Sequence, residues 1–222
     1  MAVRIKESAM GDFTGKVGNS VMVVWRDLFV IKTTPSKHRR TAGAKKQAPY
    51  KAKFKCVMDF LCGADADKVF NMGFQLPKKS RMTALNAAVS YHLLNAIEGE
   101  FPDYEIDLAK VKFSQPRVIL ESGYKGMVEC GKDLSAALRW ELNPFPEKST
   151  QYDDKAIIIS YNKTMDNFEV QDDCIRRDAL CFNFPRNLGR AGDDIFTWLF
   201  FISDDRKRVS ETQYLGQITL MA

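Results

Sequence analysis

Nowhere does this chain carry an apolar run near the roughly 20 residues that a membrane span needs. Its longest, Ile195–Ile202, is interrupted by Thr197 and has the length of a strand. The start, Met1-Ala2-Val3-Arg4-Ile5-Lys6, has no apolar stretch of the kind a secretory signal contains, so a cytoplasmic protein without membrane contact is expected. Histidine is scarce, with His38 and His92 alone. His92 shares a helical stripe with Leu85, Val89 and Leu93 and reads as structural, whereas His38 sits in a basic stretch and reads as solvated. Catalysis through a histidine needs a nucleophile and an orienting acid beside it, and the sequence assembles neither. The five cysteines, Cys56, Cys62, Cys130, Cys174 and Cys181, are odd in number, and no two have C-x-x-C spacing. Reduced, mostly packed thiols are expected, and a zinc site is not.

Two other chemistries fall short. Gly11-x-x-x-Gly15-Lys16-Val17 resembles a phosphate loop, but it has three residues between its glycines where four are needed. It also has Val17 where a magnesium-holding hydroxyl belongs. The acidic doublets Asp153-Asp154, Asp172-Asp173, Asp193-Asp194 and Asp204-Asp205 follow no EF-hand spacing. Each falls in a turn-rich piece, where Asp caps local backbone. No cofactor, metal, small-molecule substrate or enzymatic activity is therefore expected.

What the chain does have is an uneven charge. Residues 1–58 hold 13 Lys/Arg against 3 Asp/Glu, a balance of +10, while residues 59–222 hold 20 against 25, a balance of −5. Within this, Lys32–Lys55 carries nine basic residues and no acid. Such a segment is either a solvated face or one that meets something anionic: an acidic protein surface, another copy's body, or a nucleic acid. The residues singled out for binding are Lys37, Arg39, Arg40, Lys45 and Lys46.

Local patterns give an outline. Val21–Trp25 and Leu28–Thr33 are two β-rich runs joined by Arg26-Asp27, which predicts a hairpin, and Pro35 stops its second strand. Tyr50, Phe54, Val57 and Leu61 share one face of a helix starting near Pro49 and ending at Gly63. A second helix carries Met82, Leu85, Val89, His92, Leu93 and Ile97, with Ser80 as cap, Gly99 as terminator and Pro102 beyond. From Tyr104 onward short β runs alternate with turns, near 105–113, 116–121, 124–130, 134–142, 155–161, 167–171, 179–184, 194–203 and 213–221. This predicts an antiparallel sandwich, with Trp140 and Trp198 packed between its sheets.

Three stretches carry a family resemblance. They are Gly15-Lys16-Val17-Gly18-Asn19 with Trp25 and Ala52-Lys53-Phe54, then Asn86-Ala87-Ala88-Val89-Ser90-Tyr91 with Asn95-Ala96-Ile97, and Ser210-Glu211-Thr212-Gln213-Tyr214-Leu215-Gly216. The chain resembles an uncharacterised domain-of-unknown-function family of Bacteroidetes-type bacteria. It departs from it at Arg26-Asp27, where a glycine-containing turn is expected, and at Lys45-Lys46-Gln47, where a Gln/Arg-rich helix start is expected. The resemblance implies no activity and no site residues. The second half also resembles a fibronectin-type or immunoglobulin-like sandwich, through Trp140 and Tyr161.

The expected fold is thus mainly β with two helices (α+β). Residues 1–103 form an N-terminal β-hairpin, a basic arm and a two-helix region, and residues 104–222 form an Ig/fibronectin-like antiparallel β-sandwich. The expected role is a non-enzymatic structural or assembly module, self-associating or binding a protein partner through the hairpin and arm. The alternative is nucleic-acid binding by residues 37–55.

Overall fold

The structure, a computed structural model, describes residues 2–4, 14–25, 28–34, 43–76 and 82–221. They fall into two compact units, residues 1–47 and 48–222.

In the first unit, β1 (Ala2–Arg4), β2 (Gly15–Val17), β3 (Ser20–Trp25) and β4 (Leu28–Thr33) form an antiparallel sheet in the order β1-β4-β3-β2. The predicted hairpin is β3–β4, pairing Val23 with Val30 and Trp25 with Leu28. Its connection Arg26-Asp27 lies outside the described residues. The β2–β3 turn uses Gly18 at φ 56°, a left-handed conformation that glycine adopts without strain.

The junction between the units falls inside helix α1 (Gly43–Gly63), which starts six residues before Pro49. Among the described residues there are three α-helices where two were expected, because α2 (Ala66–Gly73) follows α1 and precedes α3 (Ala84–Asn95). Only eight residues long and bordered by Asp65, it has too few turns to show a periodic stripe. The cap of α3 is Thr83, whose Oγ1 accepts from the Asn86 N–H at 3.1 Å. Ser80, the expected cap, lies outside the described residues. Gly99 belongs to β5 (Ile97–Glu100), which pairs with β6 (Asp103–Ile106). The boundary read from the sequence at 103/104 falls within this hairpin.

The remaining strands are β7 (Ile119–Leu120), β8 (Tyr124–Cys130), β9 (Ala136–Glu141), β10 (Lys155–Asn162), β11 (Asn167–Arg176), β12 (Cys181–Asn183), β13 (Asp194–Ile202), β14 (Val209–Ser210) and β15 (Gln213–Thr219). The main sheet runs β11-β10-β13-β14-β7, with β15 also pairing β13, and a second sheet runs β12-β9-β8. All these pairings are antiparallel except β7 with β14. The protein is therefore mainly β with helices, α+β, and contains the expected β-sandwich.

Alternation along the central strands explains the layering. Ile157, Ile159, Tyr161, Phe196, Trp198, Phe200 and Ile202 share one core with Val57, Leu61, Phe70 and Val89 of the helices. Ala156, Ile158, Ile195, Leu199 and Phe201 share another with Leu138 and Trp140 of the second sheet. A strand covered on both faces must be apolar at nearly every position, as β13 is. Trp140 packs between the sheets as expected, edge-on to Phe201. Trp198 is buried on the other face, against Phe113 and Tyr214, its Nε1 donating to the Leu108 carbonyl at 3.2 Å. Period-2 counting put Trp198 on a buried face but could not tell which layer covers it.

Buried polar groups tie the layers together. Thr212 Oγ1 accepts from the Phe113 and Ser114 N–H groups at 2.9 and 2.7 Å. Ser114 Oγ donates to the Ser210 carbonyl at 2.7 Å, and Ser210 Oγ accepts from the Phe201 N–H at 2.8 Å. The Ser210–Gly216 stretch of the resemblance is, in its first three residues, this clamp.

Candidate functional site

The N-terminal sheet is apolar on both faces. Register places Val21, Val23, Trp25, Leu28 and Val30 on one side and Met22, Val24, Phe29 and Ile31 on the other. Yet no described side chain of this sheet is buried. Val17 is 66% exposed, Val24 51%, Trp25 42% and Val23 37%. β1 pairs only with β4 and β2 only with β3, so each leaves one edge without a strand among the described residues.

Of the residues singled out for binding, Lys37, Arg39 and Arg40 lie outside the described residues. Lys45 falls in α1, and Lys46 is exposed there. The aromatics of this stretch depart from expectation. Val57 and Leu61 are fully buried, but Tyr50 and Phe54 are 76% and 50% exposed. The apolar stripe reaches the sheet only over the C-terminal half of α1, and its earlier aromatics stand beside the exposed Lys51 and Lys55.

Within the second unit an acidic hairpin lies close to α1. Residues 97–107 contain Glu98, Glu100, Asp103, Glu105 and Asp107 and no Lys or Arg. The register Glu98↔Glu105 and Glu100↔Asp103 sets four carboxylates on one face, with like charges directly opposite, an arrangement that works against hairpin stability. Lys110 offsets part of it, lying 3.4 Å from Glu98 and 2.6 Å from Asp107. Beside this hairpin opens a cavity of about 340 Å³, lined by Cys56, Asp59, Phe60, Glu105, Ile106, Leu108, Tyr161, Lys163 and Asp166. The Tyr161 hydroxyl donates to Asp166 Oδ1 at 2.8 Å, and burial pushes its pKa far above the ordinary value, so it stays a donor. Burial, then Asp59 and Glu105, raise the Cys56 thiol. Nothing local in the sequence marks this site, since its walls come from α1, β6 and the β10–β11 hairpin. The alternation Glu-x-Glu and Asp-x-Glu around Phe101-Pro102 was the available signal for its acidic rim.

A smaller cavity of about 100 Å³ has walls of Tyr124, Leu142, Pro146 and Tyr152 beside Glu121 and Arg177. Glu121 accepts from Asn143 Nδ2 and, at 3.2 Å, from Thr150 Oγ1. Arg177 is buried, 3.3 Å from Asp154, and stacks its guanidinium 3.8 Å from the Phe201 ring. Its Nη2 donates to the Glu121 carbonyl at 2.7 Å.

Each acidic doublet has at least one member held by a structural partner, and Asp172 lies within β11 rather than in the expected turn. Asp154 pairs Arg177, Asp172 pairs Lys68, and Asp193 accepts from Asn162 and the Arg190 N–H. Asp205 caps its own turn, pushed down to about 2 by the Ser203 hydroxyl and the Lys207 N–H. No group of three or more His, Cys, Asp or Glu able to hold a metal occurs among the described residues. His92 is buried as expected, its Nδ1 donating to the Ala88 carbonyl at 2.7 Å and its Nε2 accepting from the Lys112 N–H at 3.2 Å. Cys62 and Cys181 are exposed, not packed, while Cys56 and Cys130 are half-buried, and all four are free thiols. No described helix is long and apolar enough to cross a membrane.

A family model described as a family of unknown function, DUF6266, matches residues 12–216. No curated protein matches the chain. Among solved structures the chain is similar to the twitchin kinase region from C. elegans (Fn31-NL-kin-CRD-Ig26), at 12% identity and a TM-score of 0.35. That similarity covers 46% of this chain and 17% of the other, so the chain spans less than a fifth of that structure's length.

Proposed function

We propose, for a chain that belongs to the DUF6266 family of unknown function, a non-enzymatic role as an assembly module whose N-terminal sheet is completed by another copy. One observation carries this reading: both faces of that sheet are apolar, yet none of its described side chains is buried. Strands read as continuous apolar runs when both faces are covered. Each Å² of apolar surface removed from water contributes about 25 cal/mol, so covering Val23, Val24 and Trp25 favours association. The edges of β1 and β2 that no described strand covers offer backbone groups to a neighbouring strand. The +10 balance of residues 1–58 against the −5 of the remainder favours head-to-tail contact over the meeting of two like front ends. Free thiols support a reducing, cytoplasmic location.

Light scattering over a concentration series tests this. The chain is expected to assemble, and Val23→Lys with Val24→Lys, one charge on each face, to leave it monomeric with an unchanged main melting transition. A wild-type chain that stays monomeric at high concentration refutes the reading.

A second reading rests on Tyr50 and Phe54, which stand exposed beside Lys51 and Lys55 as a cationic, aromatic surface suited to single-stranded nucleic acid. Gel shifts should then weaken steeply with salt and with Tyr50→Ala and Phe54→Ala. Absence of binding at low salt removes it.

A further inference from the structure

We propose that the cavity between α1 and the β5–β6 hairpin receives a Lys or Arg side chain from the basic segment 37–46 of a second copy. This rests on the assembly reading and names the surface that meets the front end. The cavity combines two features that such a side chain needs. Phe60, Ile106 and Leu108 supply an apolar wall for an aliphatic stem, and Asp59, Glu105 and Asp166 supply carboxylates for the charged head.

The walls are set in advance of any ligand. Phe60 packs edge-on against Tyr161 and Phe168 with ring centroids 5.4 and 5.1 Å apart, and Tyr161 lies 4.5 Å from Phe168. The Tyr161 hydroxyl holds Asp166 through Oδ1, leaving Oδ2 as an acceptor. Lys163 is the one cation among the lining residues, set against three carboxylates. Neither Asp59 nor Glu105 has an ion-pair or hydrogen-bond partner among the described residues, and both are exposed. The register of the adjacent hairpin, which Lys110 offsets only at Glu98 and Asp107, adds negative potential at the rim.

Charge complementarity names a second copy as donor: residues 1–58 carry a balance of +10 and residues 59–222 one of −5, so the front end of one copy is drawn to the body of another.

The test uses the full chain, the double variant Asp59→Asn/Glu105→Gln, and a synthetic peptide with the sequence of residues 36–47. A matching peptide with its Lys and Arg replaced by Gln serves as control. Both substituted side chains are exposed, so melting of the variant should match wild type. Self-association of the variant is expected to weaken roughly tenfold, from the loss of two partly solvated charge pairs. The basic peptide should disperse wild-type assemblies and slow alkylation of Cys56, read by mass spectrometry at that residue, and the Gln peptide should do neither. Assembly of the variant equal to wild type, with Cys56 alkylation unaffected by the basic peptide, overturns the cavity proposal and leaves the assembly reading standing. A wild-type chain that does not assemble overturns both.

Discussion

Replacing Arg177 with Met tests whether the pair it forms with Asp154 holds the second sheet in place. The two side chains are 6% and 1% exposed. Met keeps an unbranched stem against Phe201 but removes the donor to the Glu121 carbonyl at 2.7 Å, the weaker one to Ser122 at 3.4 Å, and the partner of Asp154. The backbone bond from Trp140 Nε1 to the Arg177 carbonyl, at 2.8 Å, survives. Breaking a buried pair from one side costs about 3–5 kcal/mol, because a charge is left without a partner. Acid should return part of this. Burial already raises the Asp154 carboxyl above its ordinary 3.8, and Arg177 opposes the shift. Without Arg177 the carboxyl rises further, so the folded state holds more protons than the unfolded one in the window above 3.8. Stability of the variant relative to wild type then increases as pH falls through that raised pKa. Urea unfolding near neutral pH and near pH 5 reads both effects. The double variant Asp154→Leu/Arg177→Met, which leaves no orphaned charge, should regain most of the loss. A single-variant cost under about 1 kcal/mol, or a double variant no better than the single, refutes the reasoning.

Three further outcomes follow from the packing. His92 is held neutral by burial, which depresses its pKa below 6.5, so folding stability should decline as pH drops below that value, and His92→Gln should flatten the decline in thermal melts. Thr212→Val leaves the Phe113 and Ser114 N–H groups without an acceptor and should cost about 2–4 kcal/mol in chemical denaturation. In Gly73→Ala the added Cβ comes within 2.0 Å of the Phe113 carbonyl oxygen, and the backbone shift this forces should lower stability by roughly 1–3 kcal/mol in the same assay.

Legibility in the sequence followed the range of the interactions. The run Ile195–Ile202 announced a strand, and the structure covers it from both sides. His92 beside Leu85 and Val89 announced a buried ring. Local pattern failed where a partner decides the outcome. Tyr50 and Phe54 continue the stripe of Val57 and Leu61, but the helix outruns the surface it packs against. The eight residues of α2 are helical because Val69 and Phe70 enter a core built with Ile157 and Trp198, nearly ninety residues or more away in sequence. The cavity was invisible for the same reason, since Cys56, Glu105 and Tyr161 meet only once the chain has folded. Residues 37, 39 and 40 rest on charge alone, as they did in the sequence.

The order of the layers along the chain has a consequence for biosynthesis. All three helices leave the ribosome before the sheet that covers them, and β13, which completes that cover, ends at Ile202, about 100 residues after α3 ends at Asn95. At translation rates of about 5–20 residues per second, the apolar sides of Phe70 and Val89 wait roughly 5–20 s for the cover that β13 completes. A nascent chain of this kind is expected to engage holding chaperones, and synonymous codon changes that slow elongation between β6 and β13 should lower its soluble yield without altering a single amino acid.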